Sequence, residues 1–277
     1  MNPSTVTHLV LDAHVHLYEC FDLQTLLDAA RTNFQQVIEQ RGLPASSTRF
    51  CFLCVDLQDR RLDDTLQRLA KLPDYKISTV DEDEPYSRHI KHIPSNLQWQ
   101  IVWGHQIICK ENLEVLAFGL PESLPNGTSL EAVLGALQSA VFGILPWGFG
   151  KWSGSRGELV SQLMSRSRTS DNGDGWWVGD NGGRLALAHR PKQITKAVKV
   201  GRWNIPGSDP LPFQDQASKV GSCGVILQGD YHADAPAASI RRLLDAATTQ
   251  PEVFGGGERL ARFVRAQFGM QWRKRFA

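Results

Sequence analysis

No apolar run in these 277 residues reaches the ~18 that a bilayer span requires. The opening MNPSTVTHLVLDAHVHL has no basic segment leading into a long apolar one, so neither a membrane nor export is expected. An excess of one charge is also missing. Thirty Lys+Arg against twenty-nine Asp+Glu leave +1, which gives nucleic acid no electrostatic footprint. Cysteine is sparse and odd in number: Cys20, Cys51, Cys54, Cys109 and Cys223 are too scattered for a disulfide framework, and a reducing cytoplasm is the expected location. No G-x-G-x-x-G opens a helix, no P-loop spacing is present and no G-x-S-x-G occurs. These absences argue against a dinucleotide fold, NTP binding and a serine hydrolase. Without repeats, low-complexity tracts or a Gly/Pro/Ser-rich linker, the chain reads as one domain over 1–277, with a basic tail at 270–277.

What is present is alternation. His8–Asp12 reads as a first strand. Phe21–Gln40 carries apolar residues at three- and four-residue spacing and closes on Gly42 and Pro44, as an amphipathic helix does. Arg49–Leu57 is a buried strand and Leu62–Leu72 a short helix, while Asp74–Ser95 reads as a loop with short strand pieces. Trp99–Cys109 and Leu113–Gly119 form a hairpin, because Lys110–Asn112 is too short for a crossover. Helices at 129–140, 157–167 and 192–200 then alternate with strands at 142–145, 175–179 and 202–205. A strand at 224–228 and helices at 236–248 and 257–268 follow. Strand–helix repetition implies parallel strands, and the expectation is a single TIM-like (β/α) barrel, distorted, of seven or eight strands. Cys51 and Cys54 fall on opposite faces of their strand and are core thiols.

Two strand ends carry the chemistry. In Asp12-Ala13-His14-Val15-His16, alternation puts both imidazoles on one face, about 6–7 Å apart at Cα. Two imidazoles that close can share a divalent ion. Asp209, in Ile205-Pro206-Gly207-Ser208-Asp209-Pro210, follows another strand and is placed either to complete the metal shell or to accept a proton. Its surroundings of Gly, Ser and Pro are equally those of a turn-capping Asp.

These segments resemble the PHP (polymerase and histidinol phosphatase) family of metal-dependent barrel phosphoesterases. Asp12–His16 resembles its D-x-H-x-H, Gly104-His105-Gln106 is similar to its G-x-E, and Gly207-Ser208-Asp209 resembles G-S-D-x-H. The resemblance implies up to three metals, but Gln106 replaces a bridging Glu, and Leu145 and Leu211 replace histidines. His14, His16 and Asp209, with Gln106 as a weak neutral fourth, correspond to one metal position, for Zn, Mn or Fe.

Further polar material accompanies these motifs. Pro146–Gly157 is glycine-rich and opens a helix, and Lys151 and Arg156 within it suit a small anionic substrate, with Trp147 as a contact. The segment reads equally well as a Trp-anchored surface loop. Asp180, after Trp176–Gly179, reads as a ligand, a base, or an orienting partner for Lys151 or Arg184, and Asn181 and Arg184 as substrate contacts. The expected function is metal-dependent hydrolysis of a small anionic substrate, a phosphoester first. His14, His16 and Asp209 would hold the ion, Asp180 would take the proton, and Lys151, Arg156 or Arg184 would neutralise the substrate. The alternatives are a barrel that binds a ligand or partner without turnover, and amidohydrolase-type C–N hydrolysis recruiting His189 or His232.

Overall fold

The computed structural model describes residues 6–55, 61–120, 124–137, 142–148, 150–168, 174–185, 187–258 and 264–265. The strands are β1 (His8–Val15), β2 (Thr48–Cys54), β3 (Tyr75–Thr79), β4 (Ser87–His92), β5 (Leu97–Ile108), β6 (Glu114–Phe118), β7 (Phe142–Pro146), β8 (Trp176–Gly179), β9 (Cys223–Gln228) and β10 (Glu252–Gly255). The helices are α1 (Leu23–Arg41), α2 (Arg61–Leu69), α3 (Leu130–Gly135), α4 (Gly154–Leu163), α5 (Lys192–Lys199) and α6 (Pro236–Ala246), with 3-10 turns at Ala45–Ser47 and Gln214–Lys219. Helix α1 starts where Asp22 accepts from the Thr25 N–H at 2.7 Å and stops at Gly42 in the left-handed region, as its punctuation predicts. No helix among the described residues is long and apolar enough to cross a membrane.

The (β/α) barrel is corrected. One mixed sheet runs β10-β9-β1-β2-β5-β6-β7-β8, with the β3–β4 hairpin paired to β5. Only β1–β2, β2–β5 and β7–β8 are parallel, whereas β5–β6, β6–β7, β1–β9 and β9–β10 are antiparallel. A TIM barrel needs a crossover helix after every strand. Here β5 turns directly into β6, as the short connection predicts, and although the six-residue α3 lies between β6 and β7, that pair is antiparallel as well. An apolar strand looks the same read in either direction, so periodicity carries no information on strand polarity. The strand expected at 202–205 shrinks to an isolated bridge, Val178 to Asn204, and β10 was not expected. Of the helix expected at 257–268 only 257, 258, 264 and 265 are described, and Glu258 pairs with Leu185 where that helix was expected to begin; the tail at 270–277 lies outside the described residues.

The sheet curls far enough for one irregular segment to touch two distant strands. The Ile205 N–H donates to Val178 O at 2.7 Å, while the Ala13 N–H donates to Pro206 O at 3.4 Å. Segment 204–209 thus links β8 to the end of β1. Inside the curl, Leu9, Leu11, Cys51, Leu53, Phe118, Ile144 and Trp177 pack with Ile240, Leu243 and Leu244 of α6. Outside it, α1 covers Val10, Val15, Phe50 and Phe52, and α3 to α5 cover β6 to β8. Cys51 and Cys54 fall in different clusters, as alternation requires. Four of the five free thiols are buried, and burial, helped by Glu111 and Glu114, pushes Cys109 up to about 12. Native protein is therefore expected to give one reactive thiol with a disulfide reagent, that of half-buried Cys20, and five after denaturation.

Candidate metal centre

The site begins with an irregularity in β1. Residues 10 and 15 lie five apart and would face opposite ways on a regular strand, yet both pack in the outer cluster. The register against β2 shifts between Asp12 and Val15, and this bulge supplies the missing half-turn. Opposite Val15, His14 and His16 are thereby aimed at the inner side of the curl, above Leu9, Leu11 and Ala13.

Asp12 anchors the bulge. Its carboxylate is buried and accepts three backbone N–H bonds: from Ser208 and Gly221 at 2.8 Å each, and from His14 at 3.3 Å. Burial pushes its carboxyl up to about 6 while those donors pull it down. In the sequence Asp12 belongs to the D-x-H-x-H motif, and nothing there signals this anchoring task. Asp12→Asn retains the shape but sets an amide N–H₂ against a buried N–H donor. The expected result is a loss of about 1–3 kcal/mol of stability in urea titration, with weaker metal binding at the neighbouring imidazoles.

The loop that Asp12 holds delivers the third group. Asp209 has a φ of 44°, a left-handed conformation uncommon outside glycine, and its N–H donates to His14 O at 2.8 Å. Asn181 spans the gap behind it, donating from Nδ2 to Asp209 Oδ2 and to Trp147 O at 3.0 Å each. The result is convergence. His14 Nε2 and His16 Nε2 are 3.3 Å apart, and Asp209 Oδ1 lies 3.6 Å from the first and 3.9 Å from the second. Tyr18 stacks on His16 with centroids 5.0 Å apart, which fixes that ring. Tetrahedral donors at about 2.0–2.1 Å from an ion would be about 3.3–3.4 Å from one another. The trio therefore fits one small divalent ion with little movement. Two imidazoles and a carboxylate also suit zinc, manganese or iron chemically and leave coordination positions open.

Charge is arranged accordingly. Burial holds the His14 imidazole below its ordinary range, and Asp209 offsets this only in part. Burial alone would raise Asp209, but His14, His16, Lys219 and Lys151 outweigh it and hold the carboxyl low. An imidazole held low by burial beside a carboxyl held low by its cationic neighbours is a donor pair that suits a cation.

The trio opens into a cleft of about 390 Å³, also lined by Tyr18, Gln106, Glu114, Trp147, Lys151 and Asn181. Gln216, Lys219 and Glu258 complete its polar wall. Of the sequence candidates, His14, His16, Asp209, Gln106, Lys151, Trp147 and Asn181 thus share one cleft. Asp180, Arg184 and Arg156 do not line it. Of the three roles open to Asp180, the structure supports that of partner to Arg184, whose Nε sits 3.1 and 3.0 Å from its two oxygens. Arg156 instead donates to the Gly150 carbonyl at 3.1 Å, holding its own loop. His189 is exposed, and His232 pairs with Asp230 at 3.2 Å beside a different cleft. Lys151 is less free than expected, because Glu114 Oε2 lies 2.5 Å from its Nζ. Glu114, Gln216, Lys219 and Glu258 were missed. Glu114 stood one residue inside an expected strand and could have been found there as an inward-facing acid. Gln216 and Lys219 sit on a segment without periodicity, and Glu258 fell in the helix expected at 257–268, where nothing aimed it at the cleft.

A curled mixed sheet with a three-donor cleft at the end of its first strand is the class that this geometry defines. No family model matches the sequence, and no curated protein matches it. Among solved structures the chain is similar to the crystal structure of PsfC from Pseudomonas syringae PB-5123, with a TM-score of 0.58 and 13% identity over 96% of this chain and 98% of that one. At that identity the likeness shows the fold alone. It replaces the TIM-barrel description, and neither a hydrolase nor a PHP-family assignment gains support from these comparisons.

Proposed function

We propose that the chain is a metal-dependent enzyme that takes one divalent ion on His14, His16 and Asp209 and hydrolyses a small anionic substrate, a phosphoester first. The observation that carries this is the convergence of three donors of the right type, within 4.8 Å of one another, on a cleft that also contains two lysines. Bound there, a divalent ion supplies Lewis acidity, lowering the pKa of a water toward neutrality and polarising the substrate's oxygen. Asp209 is oriented for its task by Asn181, and His16 by Tyr18. Glu114 replaces Asp180 as proton acceptor, because it lines the cleft while Asp180 is held by Arg184. Its carboxylate receives the proton of the attacking water, and Lys151, paired with Oε2, holds it in place. Five free cysteines support a reducing compartment, and we place the protein in the cytoplasm.

The test is turnover of a panel of phosphomonoesters, phosphodiesters and cyclic amides by manganese- or zinc-loaded protein, against the same protein after chelation. Metal-dependent release of phosphate is expected, and hydrolysis of the cyclic amides alone would move the reaction to C–N chemistry. Glu114→Gln is expected to retain metal and lose about 10²–10⁴-fold in turnover. Equal rates in the two proteins would remove Glu114 from this role. A second reading has one observation in its favour: both carboxylates of the cleft outside the trio are ion-paired, Glu114 with Lys151 and Glu258 with Lys219. A metal-loaded protein that binds phosphate but turns over no member of the panel would be a binding protein.

A further inference from the structure

The 3-10 turn Gln214–Lys219 carries polar groups that neither the trio nor the fold uses. Residues three apart eclipse on such a turn, so Gln216 and Lys219 project from one face, and both line the cleft. Both are more than nine-tenths buried. Among the described residues, the Gln216 side chain has no hydrogen-bond partner and its Oε1 is sealed from solvent. Lys219 has one partner, Glu258 Oε1 at 2.8 Å from Nζ, although an ammonium carries three N–H donors. Glu258 is delivered by backbone pairing, its N–H donating to Arg184 O at 2.6 Å beside the Leu185 bridge. The turn itself is fixed from outside, since Asn33 of α1 donates to Ser218 O at 3.1 Å and to Val220 O at 2.8 Å. Gly221 just beyond it donates to Asp12. The same carboxylate therefore ties this turn and the Asp209 loop to the end of β1.

A buried ammonium with spare donors is expensive to desolvate, and as scaffolding an apolar pair would serve as well. Lining one cleft, the two side chains both offer donors to an entering anionic oxygen group: the ammonium has N–H donors to spare, the Gln216 Nε2 donates beside it, the sealed Oε1 takes no part, and Glu258 keeps the ammonium aimed. We propose that Lys219 and Gln216 form the subsite that holds the anionic group of the ligand, a phosphoryl or carboxylate oxygen, beside the His14–His16–Asp209 trio. This inference deepens the functional proposal above and rests on that cleft being the ligand site. The sequence candidates Arg156 and Arg184 leave this task to Lys219, since neither lines the cleft.

The test measures binding of inorganic phosphate and of acetate by calorimetry, in manganese-loaded and in chelated full-length protein, with manganese content determined separately. Lys219→Met alone strands Glu258 in a buried position and risks unfolding, so the comparison is Glu258→Gln against Lys219→Met/Glu258→Gln. Glu258→Gln removes the competing anion and is expected to bind phosphate at least as tightly as the natural chain. The double variant is expected to lose about tenfold or more relative to Glu258→Gln, with manganese content unchanged. Gln216→Ala is expected to show a smaller loss in the same direction. Stronger binding of phosphate than of acetate points to a phosphoryl ligand, and the reverse order to a carboxylate. Equal affinities in the two Glu258→Gln backgrounds, or no binding of either anion, would overturn the subsite. Failure to take up manganese would remove the metal reading, while chelated protein would still decide the role of Lys219.

Discussion

His14→Ala/His16→Ala reduces bound metal from one equivalent to background. Removing an outer-sphere partner of a metal ligand already costs about 10–100-fold in affinity, so deleting two of three donors is expected to exceed about 10³-fold. Metal analysis of protein purified without chelator provides the measurement. A thermal readout separates loss of the site from loss of the fold. At metal concentrations near 100 times the dissociation constant, linkage adds about 2.7 kcal/mol to the stability of the natural chain, or roughly 5–10 °C in melting temperature for a chain of this size. The double variant is expected to show no metal-dependent shift. Without metal its melting temperature should fall below that of the chelated natural protein, since two buried imidazoles are lost and one of them stacks on Tyr18, so the metal-dependent shift and not the absolute value is compared. Equal metal in both proteins would show that the ion, if any, sits elsewhere.

Asp209→Asn gives a finer measure of the same centre. The amide fits the turn and can still meet Asn181, but it supplies no negative charge against the two imidazoles. A neutral ligand is weaker than a carboxylate, so affinity should fall without the fold changing. The ordering of the natural chain, Asp209→Asn and the double-histidine variant therefore tests whether charge or mere geometry holds the ion.

How much of this was legible depends on how local each feature is. His14 and His16 could be read because period-two alternation is a property of five consecutive residues. Asp209 could be read because it follows a strand and sits in turn chemistry. The bulge that aims the imidazoles was invisible, since it consists of a register shift against β2. The barrel failed for a related reason: apolar runs reveal strands but not their direction, and the β5–β6–β7 antiparallel stretch turns on which edge each strand finds. Asp180 and Asp209 looked alike in sequence, both acids at strand ends. Arg184, one helical turn away in sequence, takes the first for structure, and Asn181 takes the second to the cleft. Gln216, Lys219 and Glu258 left no trace. The segment of the first two lacks periodicity, and Glu258, expected on a helix, arrives instead by pairing with Leu185, seventy-three positions earlier by residue number.

Gly207→Ala is expected to cripple both the fold and the metal centre. A methyl group at this position would lie 2.1 Å from the His14 backbone nitrogen, 2.6 Å from His14 Cβ and 2.7 Å from His14 Cα. Neither side can give way cheaply. The His14 atoms belong to the bulged end of β1, held by Asp12. The loop is held by Gly207 N–H to Asp180 O at 3.3 Å, Gly182 N–H to Gly207 O at 2.8 Å, and Ser208 N–H to Asp12 at 2.8 Å. Overpacking in a well-held interior costs typically about 1–3 kcal/mol and more where backbone must move, so the upper end of that range or beyond is expected in urea titration. The metal effect should exceed what lost stability explains. Any displacement that relieves the clash carries Asp209 away from the two imidazoles, because the same two residues of chain, 207 to 209, connect the clash to the ligand. Gly42→Ala serves as the control: its φ of 61° strains a side chain through the backbone, but nothing lies within 4 Å of the added methyl. That variant is expected to lose about 1 kcal/mol and keep its metal. A Gly207→Ala protein that binds metal as tightly as Gly42→Ala would mean that Asp209 is not held to the imidazoles through this loop.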